Sequence, residues 1–513
     1  DEIAIIGEFA RKPRYQGSGS SLVNPLQLDN AYDGFISRYG GEKIRYARGY
    51  DVRAEESDQS LIDEAVALAR QVDQVILFAG LTETYESEGF DRQHLNLPPA
   101  HNRLIEEVSN ANDKAIVVLA NGAPVTMPWL DKVKAVLEAY LAGQAGGSAV
   151  WDVLSGDINP SGKLAETFPL TNSDCPAAEY FPMGPTGVEY RESIYVGYRY
   201  YDTAGQVVLF PFGHGLSYTD FAYSDLNLSK KEVRDDETLE VRVRVRNTGD
   251  RFGKEVVQLY IRDKESSVFR PNKELKGFIK VALQPGEEKE AGFVLDRRSF
   301  AYYDTRLKAW HVESGDFEIL IGASAADIRL TETVHVESTV KVLDKADNSK
   351  VGEAEQQGHV EPAARIDGAN KGKPMDGKLA VYYNVNVDWQ ITREQFAQLY
   401  GREIVHPPLR RKGEYDINTT IGEIRSTFLG RQLYKIVMRE VGKAEEMDEK
   451  TRAMYAAMVK ELPLRNLIMG SGGWISREIL EAIIMMLNGR YLKGAGRLYK
   501  IISGKSSAAG KTR

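Results

Sequence analysis

The hydrophobic period of this chain changes once, near residue 220, and the change divides it. Before that point, short apolar runs such as Ile3–Ile6, Val75–Phe78 and Ala115–Leu119 alternate with stretches whose apolar residues recur at helical spacing. After it, Leu239-Glu-Val-Arg-Val-Arg-Val-Arg246 puts every aliphatic side chain on one face and every charge on the other. The first kind of strand has no polar face, so it must be covered on both sides by helices, as in a parallel sheet. The second kind is half-buried, as in a β-sandwich. Three domains suit 513 residues. The expected fold is therefore multidomain: an α/β doubly wound sandwich over residues 1–170, a β-sandwich of fibronectin III-like or immunoglobulin type over 221–338, and a mainly helical C-terminal extension over 379–513.

Further strands are expected at Ile44–Ala47 and Ala135–Leu141, and helices at Asn30–Tyr39, Ser60–Val72, His101–Val108 and Ala149–Leu154. Residues 171–220 are rich in Pro, Gly and rings. Tyr190, Tyr195, Tyr198, Tyr200 and Tyr201, followed by Phe210-Pro-Phe-Gly-His-Gly-Leu-Ser-Tyr218, predict a surface connector with its rings buried between domains. The sandwich continues past the turn Asn247-Thr-Gly-Asp250 with strands at Glu255–Arg262, Leu275–Val281, Lys289–Leu295 and Asp316–Ile321. Residues 339–378 are polar and read as a linker. Apolar stripes predict helices at Arg393–Leu399, Gly422–Glu440, Glu446–Glu461 and Ser476–Leu487, before a disordered basic tail from Ser503. The helical extension has two readings: its apolar stripes cover the sandwich or barrel, or Gly470-Ser-Gly-Gly-Trp474 brings Trp474 towards an aglycone or a subunit interface.

Composition removes several function classes. The net charge is −8 with both signs mixed, and no basic stripe suits nucleic acid. No run of about 18 apolar residues would span a membrane, and no signal peptide is evident. The single cysteine, Cys175, allows no internal disulfide and suits a reducing compartment, hence a cytoplasmic setting. The chain opens on Asp1 and enters a strand at once, so preceding sequence is expected. Gly17-Ser-Gly-Ser-Ser21 lacks both the third Gly of a dinucleotide loop and the Gly-Lys-Ser of a P-loop. Its small residues instead let backbone approach a ligand or another domain. The 7 histidines do not cluster at zinc spacing, so no metal is expected. Neither a Gly-x-Ser-x-Gly elbow nor a Cys–His pairing appears.

Carboxylate chemistry remains. Leu81–Pro98 follows the apolar run Gln74-Val-Ile-Leu-Phe-Ala-Gly80, and ligands of open α/β sheets sit beyond the carboxyl ends of strands. The loop carries Glu83, Glu86, Glu88, Asp91 and Arg92. Without further context a solvated acidic loop would explain it. Glu88 stands between Ser87 and Gly89, which leave room for a bulky ligand, and Arg92 is placed to hold Glu88 or Asp91.

Glu86-Ser-Glu-Gly-Phe-Asp-Arg92, followed by Leu95 and Leu97-Pro98, resembles the acid/base loop of family 3 glycoside hydrolases. Arg14-Tyr-Gln-Gly-Ser-Gly-Ser-Ser21, Gly143-Gln-Ala-Gly-Gly-Ser148 and Gly156-Asp-Ile-Asn-Pro-Ser-Gly-Lys-Leu164 are similar to other segments of the same domain. Tyr198-Arg-Tyr-Tyr-Asp202 and Phe210–Tyr218 resemble the family's connector. Asn247–Asp250, Leu275–Phe278 and Leu283–Glu287 resemble its fibronectin-like domain. The resemblance runs from residue 1 to about 338. It implies a β-glucosidase-like retaining hydrolase acting on terminal β-D-glucosyl residues, with β-xylosyl residues as a further candidate, and no cofactor. Glu88 takes the acid/base position, with a raised pKa expected in the free enzyme. Ser18, Gly19, Ser20, Asp91 and Arg92 are expected to line the substrate site. The family's nucleophile lies on a TIM barrel, so a barrel-bearing partner is expected. Asp388-Trp389 is an Asp-Trp pair outside any barrel context. The alternative is a non-catalytic carbohydrate-binding or assembly module. Self-association stays open.

Overall fold

The computed structural model describes residues 2–53, 56–88, 91–178, 181, 188–192, 194–268, 270–304, 307–340, 409–442 and 449–509. Most of the expected linker, the expected helix at Arg393–Leu399 and Asp388-Trp389 lie outside the described residues.

The first unit runs β1 (Ile3–Ile6), α1 (Ala31–Tyr39), β2 (Ile44–Ala47), α2 (Gln59–Ala69), β3 (Gln74–Gly80), α3 (Pro99–Ala111), β4 (Ala115–Ala120), β5 (Ala135–Glu138) and α4 (Gly146–Leu154). Asn30 caps α1 by accepting a hydrogen bond from Asp33 N, and Asp58 caps α2 through Ser60 N. All five strands are parallel, in the order β2-β1-β3-β4-β5. Ile5, Ile6, Val75, Leu77, Val117 and Leu119 are fully buried between the helical layers, as strands without a polar face require. The chain leaves β1 one way, to β2, and returns past it to β3. The loops after these two adjacent strands therefore part at the carboxyl edge and leave a crevice between them. β5 is shorter than the apolar run suggests, because Tyr140 takes a φ of 49° that no strand tolerates.

The connector holds more structure than its composition implies. β6 (Phe168–Pro169) pairs with β7 (Val208–Phe210), and α5 (Tyr198–Ala204) lies between them in sequence. Tyr195, Tyr200 and Tyr201 are buried as expected, whereas Tyr190 is 72% exposed.

The sandwich comprises β8 (Phe221–Leu228), β9 (Glu232–Arg234), β10 (Leu239–Asn247), β11 (Gly253–Asp263), β12 (Glu274–Leu283) and β13 (Glu288–Leu295). After the short helix α6 (Arg297–Phe300) come β14 (Tyr302–Asp304), β15 (Ala309–His311), β16 (Gly315–Gly322) and β17 (Ile328–Glu337). One sheet has the order β13-β10-β8 and the other β12-β11-β16-β17-β9. In β10, Leu239, Val241, Val243 and Val245 are buried and the residues between them are exposed, so the sequence period is the burial period.

The C-terminal helices are α7 (Phe428–Gly442), α8 (Glu449–Glu461), α9 (Asn466–Gly470), α10 (Arg477–Leu487) and α11 (Tyr491–Ala509). They enclose Tyr415, Ile421, Ile424, Val459, Leu464, Leu480, Ile484 and Leu487. The expected disordered tail from Ser503 is helical as far as Ala509. Trp474 is 86% exposed.

Candidate active site at the carboxyl edge of the parallel sheet

β3 ends at Gly80, whose N–H donates to His101 Nδ1 at 3.2 Å. His101 is fully buried against Phe9 and Tyr50. Burial pushes its imidazole down to about 3, so it stays neutral and Nδ1 remains an acceptor. A turn follows, with Tyr85 N and Glu86 N donating to Thr82 O.

Glu86 ties three loops together. Its carbonyl accepts from Arg14 Nη2 at 2.8 Å, and its carboxylate accepts from Gly122 N at 2.8 Å. Arg14 comes from the loop after β1 and Gly122 from the loop after β4. Arg14 is buried, which lowers its pKa against the opposing pull of Glu86 and Glu83. With Glu86 fixed, Glu88 stands clear in the crevice, exposed to solvent.

Ser20, on the loop after β1, reaches it. Ser20 N and Ser20 Oγ both donate to Glu88 Oε2 at 2.6 Å. Gly19 makes this approach feasible: its φ is +91°, and a Cβ there would stand 2.5 Å from Glu88 Oε2 and 2.8 Å from Glu88 Cβ. The hydrogen bonds from the Ser20 hydroxyl, then from its amide, hold the Glu88 carboxyl below the usual range. In this chain alone an exposed carboxylate with two donors favours its charged form; the raised value was expected of the complete free enzyme.

The other predicted residues divide. Gly19 and Ser20 meet Glu88 directly. Ser18 Oγ is buried and has no hydrogen-bond partner among the described residues. Asp91 is exposed, and its carbonyl accepts from Gln93. Arg92 holds neither Glu88 nor Asp91: its Nη1 donates to Pro124 O at 3.0 Å, bracing the loop after β4. Gly89 and Phe90 lie outside the described residues.

Two features escaped the sequence reading. One is Arg14, a buried cation within a loop of polar and small residues. The other is an acidic group behind the site. Burial pushes Glu138 up to about 8 and also raises Glu166 and Tyr140. Glu138 accepts from Tyr140 N at 2.9 Å and from Asn121 Nδ2 at 3.2 Å. A cavity of about 430 Å³ runs beside the crevice, lined in part by Arg11, Arg14, Tyr15, Gln16, Thr82 and Glu83.

The sequence model of the glycosyl hydrolase family 3 C-terminal domain matches residues 1–218, which hold the whole Ser20–Glu88 arrangement. The chain belongs to glycoside hydrolase family 3. A fibronectin type III-like domain model matches residues 255–325 of this family 3 chain. The thermostable β-glucosidase B of Acetivibrio thermocellus is 44% identical over 489 residues, covering 95% of this chain and 56% of that protein. An exo-α-(1→6)-L-arabinopyranosidase of Bifidobacterium breve is 43% identical over 355 residues, covering 69% of this chain and 46% of that protein. The crystal structure of a family 3 β-glucosidase from Bifidobacterium adolescentis superposes with a TM-score of 0.64 at 42% identity, over 69% of this chain and 51% of that one. The family 3 chain thus spans about half the length of the curated relatives it matches.

Proposed function

We propose that this chain carries the general acid/base carboxyl, Glu88, of a retaining β-glucosidase-like hydrolase. The observation that carries this reading is an exposed glutamate at the parting of the β1 and β3 loops, held by Ser20 within the family-matched residues. The substrate is a terminal β-D-glucosyl residue, with β-xylosides in range. The nucleophile is a carboxylate on a TIM-barrel segment that meets this chain, in a bacterial cytoplasmic setting.

The chemistry follows from the two carboxyls. In retaining enzymes they stand about 5–5.5 Å apart. As the nucleophile attacks the anomeric carbon, Glu88 gives its proton to the departing oxygen, and a covalent glycosyl-enzyme forms. Glu88, now a carboxylate, takes a proton from water as that water attacks the anomeric carbon and frees the nucleophile. A negative nucleophile that close raises the Glu88 pKa, reversing the depression seen in this chain alone.

A second reading is a non-catalytic carbohydrate-binding or assembly module, in which the Glu88 carboxylate, held by Ser20, accepts hydrogen bonds from sugar hydroxyls.

The test is Glu88→Ala in the barrel-bearing enzyme. The expected outcome is a loss of about 10²–10⁴-fold in kcat/KM on poor leaving groups, little loss on activated aryl glycosides, and rescue by azide with a β-glycosyl azide as product. An unchanged rate on poor leaving groups would favour the binding module.

A further inference from the structure

The helical region reaches the loop that grips Glu88. A methyl placed on Gly19 would meet Met454 Sδ at 3.1 Å as well as the Glu88 carboxylate. Met454 belongs to α8. It is only 4% exposed, yet it stands outside the apolar cluster of the helical region, to which α8 contributes Val459. Its cover therefore includes a surface outside that cluster, and the Gly17–Ser21 loop supplies one.

That loop has a firm base and a soft tip. At the base, the Gln16 side chain pairs both ways with Val23: Gln16 Nε2 donates to Val23 O at 2.8 Å, and Val23 N donates to Gln16 Oε1 at 3.0 Å. At the tip, Gly19 and Ser20 sit in a turn closed by Leu22 N donating to Gly19 O. Small residues give such a tip little packing of its own. An unbranched thioether is suited to filling the irregular gap behind it. On α8, Ala457 and Met458 share the face of Met454.

We propose that α8 is the back wall of the Gly17–Ser21 loop and that Met454 is a positioning residue for Glu88, acting through Gly19 and Ser20. The C-terminal helices then help set acid/base geometry. The inference rests on the assignment of Glu88 as acid/base. The Acetivibrio thermocellus relative aligns over 95% of this chain.

Two measurements test it. Hydrogen exchange on this chain compares amides 17–22 in the wild type and in Met454→Ala. About tenfold faster exchange at the tip, with β10 unchanged as a folding control, is the supporting result; identical exchange overturns the proposal. In the barrel-bearing enzyme, Met454→Ala should lower kcat/KM about tenfold on poor leaving groups and leave activated aryl glycosides near wild type, with Met454→Leu restoring the rate. Equal losses on both substrate types would mean a merely structural role and overturn it. Glu88→Ala in the same assay separates the two ideas. If it shows the acid/base signature while Met454→Ala behaves as wild type, only this inference fails. If Glu88→Ala lacks the signature, the reading of Glu88 fails and takes the inference with it.

Discussion

Two glutamates at one end of the same sheet meet opposite surroundings. Glu88 is exposed and receives two hydrogen bonds, so its pKa falls; Glu138 is pushed up to about 8 by burial, with Glu166 and Glu86 adding to it against the hydrogen bonds from Tyr140 N and Asn121. The folded state therefore keeps a proton on Glu138 that the unfolded chain releases above the ordinary value of 4.5. That contribution to stability is complete below pH 4.5 and is lost as the pH rises towards 8. Glu138→Gln removes the dependence. Its amide oxygen can still accept from Tyr140 N. Urea titrations should find the variant more stable than wild type at pH 8, by on the order of 2 kcal/mol, and similar at pH 4.5. A wild type with flat stability across this window would refute the account. Glu88 was legible in the sequence because small neighbours frame it after an apolar run. Arg14 and Glu138 were not, because a buried charge is visible only once its partners, here Glu86 and Asn121, are brought from distant segments.

At the scale of elements, strands with an unbroken apolar run or strict alternation were readable, and β10 was read almost to the residue. β17 and α5 were missed. β17 alternates, but Glu332 interrupts its apolar face, and α5 is seven residues whose helix is set by docking and not by propensity. The crevice itself depends on where β3 stops. At Gly80, φ is 155° and a Cβ would sit 2.0 Å from Ala120 O, a backbone atom that cannot move aside. Gly80→Ala should therefore destabilise the α/β unit by more than about 3 kcal/mol, seen as a lowered urea midpoint. An unchanged midpoint would mean that β3 and β4 can part at this edge without cost.

Across the whole molecule, α5 couples the α/β unit to the sandwich. Asp202 pairs with Lys273, Leu275 N donates to the Tyr198 hydroxyl at 2.8 Å, and Asn272 N donates to Thr203 Oγ1 at 2.8 Å. The Lys273 side chain is buried, so Asp202→Ala strands an ammonium and should cost about 3–5 kcal/mol. Calorimetry should show one shared transition in the wild type and two in the variant, with Asp202→Ala/Lys273→Met recovering most of the loss. Coincident transitions in Asp202→Ala would show that the pair does not join the units. The sheet order has a further consequence, for heat. Ser20 and Glu88 hang from β1 and β3, each flanked by strands on both sides, whereas fraying starts at the edges, β2 and β5. The strands that carry the two loops are thus the last to open. Heat loosens the site first at the Ser20 tip, which has little packing of its own, so the grip on Glu88 slackens before the sheet gives way.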